Sequence, residues 1–247
     1  MFYKLIKTKR NQWLSQTDCP VLNLVKYIED KCKMRDAQVD AIKTYLFLKI
    51  ACNNKPLSEL FKTGCFNSFT DSDIDNLSMS SEARQIFKTN HAIVALYEFA
   101  SSKDDQGNVI AQQLATSLLE KPQEIDIDAV IDQVFYGVSY SDYVFSLPMG
   151  AGKTYLMAAF IYLDLYFAQQ EPDNRAFAHN FMVLVPSGLK TSVIPSLRTI
   201  QDFDPSWIIP EPAASKLKRE LKFEMLDENK SASKSNRTKN PNVQKIA

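Results

Sequence analysis

The sequence predicts a helix-rich α/β protein in which a helical N-terminal part precedes a parallel βαβ unit. Three observations point there. Apolar residues recur at helical spacing through most of the chain up to Gly137. Beyond Gly137 the pattern changes to two short β-branched or aromatic runs on either side of one long apolar helix. Glycine is scarce, with six in 247 residues, about a third of the usual share of roughly 7%, which argues against turn-dense barrels, sandwiches and propellers. At the usual ~150 residues per domain, the length suits one large domain or two small ones.

The elements follow in chain order. A basic stretch from Met1 to Trp13 opens the chain. Asp18 then precedes Pro20, and Val21, Leu24, Val25 and Ile28 fall at i, i+3, i+4 and i+7, one face of a helix with a cap and an early proline. A second helix is expected from about Arg35 to Ala51, with Gln38, Ala41, Ile42, Tyr45 and Leu46 along one side. Pro56 to Gly64 reads as a short helix, and Asn67 to Ser81 as a loop rich in Ser, Asp and Asn that ends in good N-cap residues. Helices are expected over Glu82 to Ser101 and Val109 to Lys121. The clearest periodicity is Ile127, Val130, Ile131, Val134 and Phe135, closed by Gly137. Tyr143 to Leu147 is then the first expected strand, Lys153 to Gln170 a long apolar helix, and Phe181 to Val185 a second strand of the kind buried on both faces of a parallel sheet. Two such strands joined by a helix make a right-handed βαβ unit. Ser187 to Ile200 reads as a helix and Ala213 to Leu226 as a charged one. The tail from Asp227 to Ala247, rich in Lys, Ser and Asn, has little to bury and is expected to be disordered by itself.

Lys plus Arg equals Asp plus Glu at 29 each, so no global basic field collects nucleic acid non-specifically and any polyanion contact must be local. Two histidines, His91 and His179, and four cysteines, Cys19, Cys32, Cys52 and Cys65, show no zinc-ligand spacing; the cysteines read as free thiols in a reducing compartment. No secretory signal is visible, and the longest apolar stretch, Tyr155 to Ala168, is too short for a bilayer at ~20 residues. The expectation is a cytoplasmic, soluble protein with no membrane partner.

Two of the scarce glycines sit two positions apart, in Leu147-Pro148-Met149-Gly150-Ala151-Gly152-Lys153-Thr154. This G-x-G-K-T lies directly before the long helix. Gly150 and Gly152 permit backbone conformations in which successive N–H groups, including that of Ala151, converge on phosphate oxygens at a helix N-terminus. Lys153 would reach the β and γ phosphates, and the Thr154 hydroxyl would ligate a Mg²⁺ bridging them, so ATP and Mg²⁺ are the expected cofactors. The strict phosphate-loop pattern places a glycine at position 147, where this chain has leucine. A plain glycine turn capping a helix is the bland alternative.

Pro148 to Thr154 resembles motif I of superfamily 2 helicases and translocases, particularly the type III restriction enzyme Res-subunit and DEAD/DEAH-like branch, in which the first glycine is commonly replaced. Two further islands fit that resemblance. Arg35-Asp36-Ala37-Gln38-Val39-Asp40-Ala41-Ile42 is similar to the R-x-x-Q-x-x-A-I element whose glutamine reads adenine, a task its donor and acceptor suit. The residue before the glutamine is Ala37 rather than an aromatic or proline, so adenine stacking is unassigned. Val183 to Lys190 resembles motif Ia, where a strand ends in V-P and Ser187, Gly188 and Lys190 would touch a nucleic-acid backbone. Gln38 on an amphipathic helix is otherwise a packing or solvent-facing residue, and Ser187 to Lys190 an ordinary strand-to-helix turn.

The resemblance implies a partial RecA-like P-loop NTPase domain. Residues 1–42 would carry the adenine-reading element, 43–141 a helical insertion, 142–226 the first part of the ATPase domain and 227–247 a basic polar tail. Gln38 and Lys153 are 115 residues apart, which makes the insertion large. Such ATPases need an acidic D-E-x-x strand. Asp227-Glu228-Asn229-Lys230 is a poor match, so the sequence reads as the N-terminal piece of a longer motor, with little ATPase activity of its own. The implied function is ATP binding within a nucleic-acid helicase or translocase of restriction or phage-defence type, acting on double-stranded DNA, with a nuclease or methyltransferase subunit as a further partner. A nucleotide-binding interaction module without turnover is the alternative. A small-molecule kinase would need an arginine-bearing lid, for which Arg198 and Arg219 are unmarked candidates.

Overall fold

A computed structural model of the chain describes residues 2–31, 33–104, 106–183 and 198–222. It is built of helices, and the described residues fall into two compact units: Met1–Cys19 with Leu46–Phe145, and Pro20–Tyr45 with Ser146–Ala247. The second unit thus draws together two stretches of chain separated by Leu46–Phe145 of the first.

The first unit begins with α1 (Phe2–Leu14). Its centre is a helical hairpin-rich core in which α7 (His91–Ser101) packs on α4 (Leu57–Lys62), α6 (Ser81–Thr89), α8 (Gln112–Glu120) and α9 (Ile127–Val134). Burial explains the choice of α7 as the centre. Ile93, Val94, Leu96 and Ala100 are inaccessible, and Phe47, Phe61, Phe87, Leu118 and Ile131 close around them. The buried carboxylate of Glu98 accepts from Ser68 N, Ser68 Oγ and Phe69 N, donors of the adjoining loop. Caps set the element boundaries. The Asp126 side chain accepts from Ala129 N and starts α9, and Asn90 starts α7.

Two local expectations are refined. Glu82 to Ser101 is not one helix, because Asn90 adopts extended backbone and turns its side chain onto Ala92 N and Ile93 N, ending α6 and opening α7. The loop from Asn67 to Ser81 contains α5 (Asp71–Asp75), nucleated by a capping box between Thr70 and Asp73.

The second unit holds α2 (Leu22–Lys31), α3 (Asp36–Leu46, whose last residue belongs to the first unit), α10 (Lys153–Gln170), a 3-10 turn at Pro205–Trp207 and α11 (Ala213–Glu220). Along α10, Ala158, Ala159, Tyr162 and Leu163 are fully buried, as a helix apolar on all sides requires. Tyr45 stacks on Phe160 with centroids 4.1 Å apart, and Tyr162 stacks on Phe203. Tyr27 Oη donates to Ser206 O at 2.6 Å. Among the described residues no helix is long and apolar enough to cross a membrane.

The parallel βαβ core expected from the sequence is absent: among the described residues there is no β-strand. Tyr143 to Leu147, expected as the first strand, pairs with no ladder. Its alternation is used differently, with Tyr143 and Phe145 packed against the helical core of the first unit and Val144 87% exposed between them. Phe181, Met182 and Val183 are exposed and irregular; Leu184 and Val185, which would complete the second strand, lie outside the described residues. The physical reason is that β propensity records a fit to a pleated surface with neighbours on both sides. A β-branched, aromatic run without a partner strand satisfies its backbone in water and buries one side on whatever apolar face is near.

Candidate functional site

The glycine turn leads into α10. Gly150 and Gly152 have φ of +77° and +78°, the left-handed region that side chains disfavour. A Cβ on Gly152 would also stand 2.6 Å from Gln38 Nε2, so the backbone conformation calls for glycine and a larger residue would displace the Gln38 amide. Gly152 is the N-cap of an 18-residue helix and provides no side-chain cap. The first N–H groups of an α-helix have no partner within the helix and carry the positive end of its dipole.

The turn is held from α3. Arg35 stands just before that helix and Gln38 is its third residue, and Gln38 Oε1 accepts from Arg35 N at 2.8 Å, the returning half of a capping box. That explains the spacing R-x-x-Q in local terms. The other end of the Gln38 amide donates through Nε2 to Gly152 O at 2.7 Å, and Arg35 Nη1 donates to Gly150 O at 2.6 Å. Gln38 is 3% exposed, so its amide faces the protein.

These bonds orient the turn. A trans peptide points its N–H opposite to its C=O, so with the Gly152 carbonyl held by Gln38 and by Leu156 N, the Lys153 N–H is directed away from α3. Ala151, itself buried, closes the turn by donating to Pro148 O at 3.2 Å. The exposed Lys153 ammonium lies back across it and donates to the same carbonyl at 3.0 Å. Two cationic side chains, Arg35 and Lys153, therefore converge on one uncapped helix start. Half-buried Thr154 follows in the first turn of α10. The donor set fits a polyanionic phosphate chain, with the Thr154 hydroxyl as the group available to a Mg²⁺ carried by it. Among the described residues no group of three His, Cys, Asp or Glu side chains could hold a metal by itself.

The structure thus brings Arg35, Gln38, Gly150, Ala151, Gly152, Lys153 and Thr154 together across 114 residues or more of sequence. Ser187, Gly188 and Lys190 lie outside the described residues, as do Asp227 to Lys230. Sequence reasoning did not single out Tyr155, which is 42% exposed and stacks on Trp207 with centroids 6.0 Å apart, nor Lys33, whose ammonium sits 5.6 Å over the Trp207 ring. Only the place of Tyr155 directly after G-K-T marks it in the sequence. Comparison with protein-family models, curated proteins and solved structures found no match to this chain.

Proposed function

We propose that the glycine turn and the first turn of α10 bind the phosphate chain of ATP with Mg²⁺, and that the chain is the nucleotide-binding part of a nucleic-acid motor of the superfamily 2 type. One observation carries the reading. Arg35 and Gln38, 115 and 114 residues upstream of their partners, hold the carbonyls of both glycines in a G-x-G-K-T whose helix has no side-chain cap. Other helices of the chain, α8 at Ala111 among them, also start without a side-chain cap, so what sets this turn apart is the pair of distant donors on its glycine carbonyls. Here the neighbours supply donors to the carbonyls, and no side chain caps the first N–H groups of α10.

In this reading the first-turn N–H groups take phosphate oxygens, Lys153 exchanges the Pro148 carbonyl for the terminal phosphates, and Thr154 contributes its hydroxyl to the metal. Arg35 and Gln38 are positioning residues. The proposed nucleic-acid contact, double-stranded DNA at Ser187, Gly188 and Lys190, follows from the sequence resemblance alone.

Titration calorimetry with ATP–Mg²⁺ tests the site. Lys153→Ala is expected to weaken ATP by at least tenfold, about 1.4 kcal/mol, and to abolish the nucleotide-dependent rise in Tm. An unchanged affinity would remove the turn from the account. Gln38→Ala is expected to weaken ATP and GTP alike, because the turn is displaced; a loss confined to ATP would assign Gln38 to the adenine edge instead. Turnover stimulated by duplex DNA separates a motor from a module that binds ATP without hydrolysis.

A further inference from the structure

Two thiols in the first unit are in contact. Cys52 follows the helical turn Phe47–Ala51, Cys65 follows α4 and Gly64, and their sulfurs stand 3.9 Å apart. The two differ in access. Cys52 is 3% exposed, enclosed with Phe47, Leu60, Phe61 and Phe66, whereas Cys65 reaches the surface in part. Both lie in turns rather than in helix interiors, with left-handed residues beside them at Asn53, Asn54 and Gly64. The sulfurs would need to approach by roughly 2 Å to reach the ~2.05 Å of a covalent bond, a movement that turn backbone accommodates more readily than helix. Charge is also unequally shared. The hydrogen bond from Cys52, and then the Lys9 ammonium, bring the Cys65 thiol down to about 7 against the opposing effect of burial. The same hydrogen bond and the apolar surroundings push Cys52 well above the usual thiol range. A reachable thiol that ionises near neutrality, backed by a buried one, is the arrangement of an attacking and a resolving cysteine.

We propose that Cys52 and Cys65 form a reversible thiol–disulfide site in which Cys65 attacks, Cys52 resolves, and small disulfides of the glutathione type act as oxidant. In the first step the Cys65 thiolate attacks one sulfur of the small disulfide. The Cys65 S–S bond forms, the S–S bond of the reagent breaks, and one thiolate leaves with the electron pair and takes up the proton that Cys65 gave to water. The negative charge beside Cys52 is then gone, so its thiol becomes easier to ionise. In the second step Cys52 loses its proton and attacks Cys65 Sγ, the Cys52–Cys65 bond forms, and the second small thiolate leaves and is protonated. Two protein thiols are oxidised to one disulfide, and one small disulfide is reduced to two thiols.

The test uses the full chain, incubated with glutathione disulfide, quenched with maleimide and read by peptide mass mapping. The expected result is loss of two of the four thiols, a Cys52–Cys65 link within one chain, and recovery of both thiols with excess dithiothreitol. In a time course the Cys65–glutathione adduct must precede the link, and its rate of formation must rise with pH through about 7 and level off above it, because only the thiolate attacks. Cys52→Ala should retain one glutathione on Cys65, and Cys65→Ala should leave Cys52 unmodified; circular dichroism checks that both fold. A first adduct on Cys52, a Cys65 adduct that accumulates in the wild-type chain without resolving, a link from Cys65 to Cys19 or Cys32, or four unreacted thiols would each overturn the proposal. The order of events in the wild-type chain decides even where a variant does not fold.

Discussion

The starts of α7 and α10 solve one problem in opposite ways. Every α-helix opens with N–H groups that its own carbonyls cannot reach. At α7 the protein supplies the acceptor: Asn90 takes Ala92 N at 3.0 Å and Ile93 N at 3.3 Å, and Ile93 is then buried in the core. At α10 the capping position is Gly152, which has no side chain to offer; Gln38 donates to its carbonyl and Arg35 to that of Gly150. The first helix is finished within the protein. The second starts without a side-chain acceptor, and two cationic side chains, Lys153 and Arg35, stand near it.

The contrast can be broken at three points. Gly152→Ala should have the largest effect, about 3 kcal/mol in urea unfolding, combining a left-handed φ with the approach to Gln38. Adding Gln38→Ala to it removes the obstructing amide, so the double variant should be about 1 kcal/mol more stable than the sum of the singles; strict additivity would show that the two residues do not touch. Gln38→Ala alone should cost about 2 kcal/mol, since it leaves the Arg35 N–H and part of the Gly152 carbonyl without a partner. Asn90→Ala should cost about 1 kcal/mol, the usual worth of an N-cap, and leave ATP affinity unchanged. An Asn90 variant that altered nucleotide binding would erase the distinction between the two helix starts.

Much of the helical content was legible because amphipathic period and caps speak locally. Ile127 to Phe135, opened by Asp126, needed no partner to be recognised. The break at Asn90 was hidden because helical spacing is kept across it, Ile86 and Phe87 recurring seven residues on as Ile93 and Val94, and only the extended backbone at the cap reveals two helices. Tyr143 to Leu147 misled for a different reason. Its residues suit a strand, yet a strand exists only where another is beside it, and Tyr143 and Phe145 met helices instead. At the site, the glycine pair announced a left-handed turn before α10, whereas R-x-x-Q was read as an adenine-reading element. What the sequence did not disclose is that Gln38 bonds backward to Arg35 N and across to Gly152 O, because that depends on a contact 114 residues away.

The buried Asp164 within α10 bears on where the glycine turn faces. It accepts from Tyr45 Oη at 2.7 Å and from Ala178 N at 3.1 Å, with Leu163, Tyr162 and Ala159 inaccessible around it. A helix greasy on every side slides and rotates among near-equivalent packings, as a smooth rod does in a sleeve. One carboxylate that demands two particular donors acts as a key in a slot and selects a single angle about the axis. Lys153 and Thr154 ride on that same rod, three turns away, so a carboxylate far from both fixes which way the start of α10 faces.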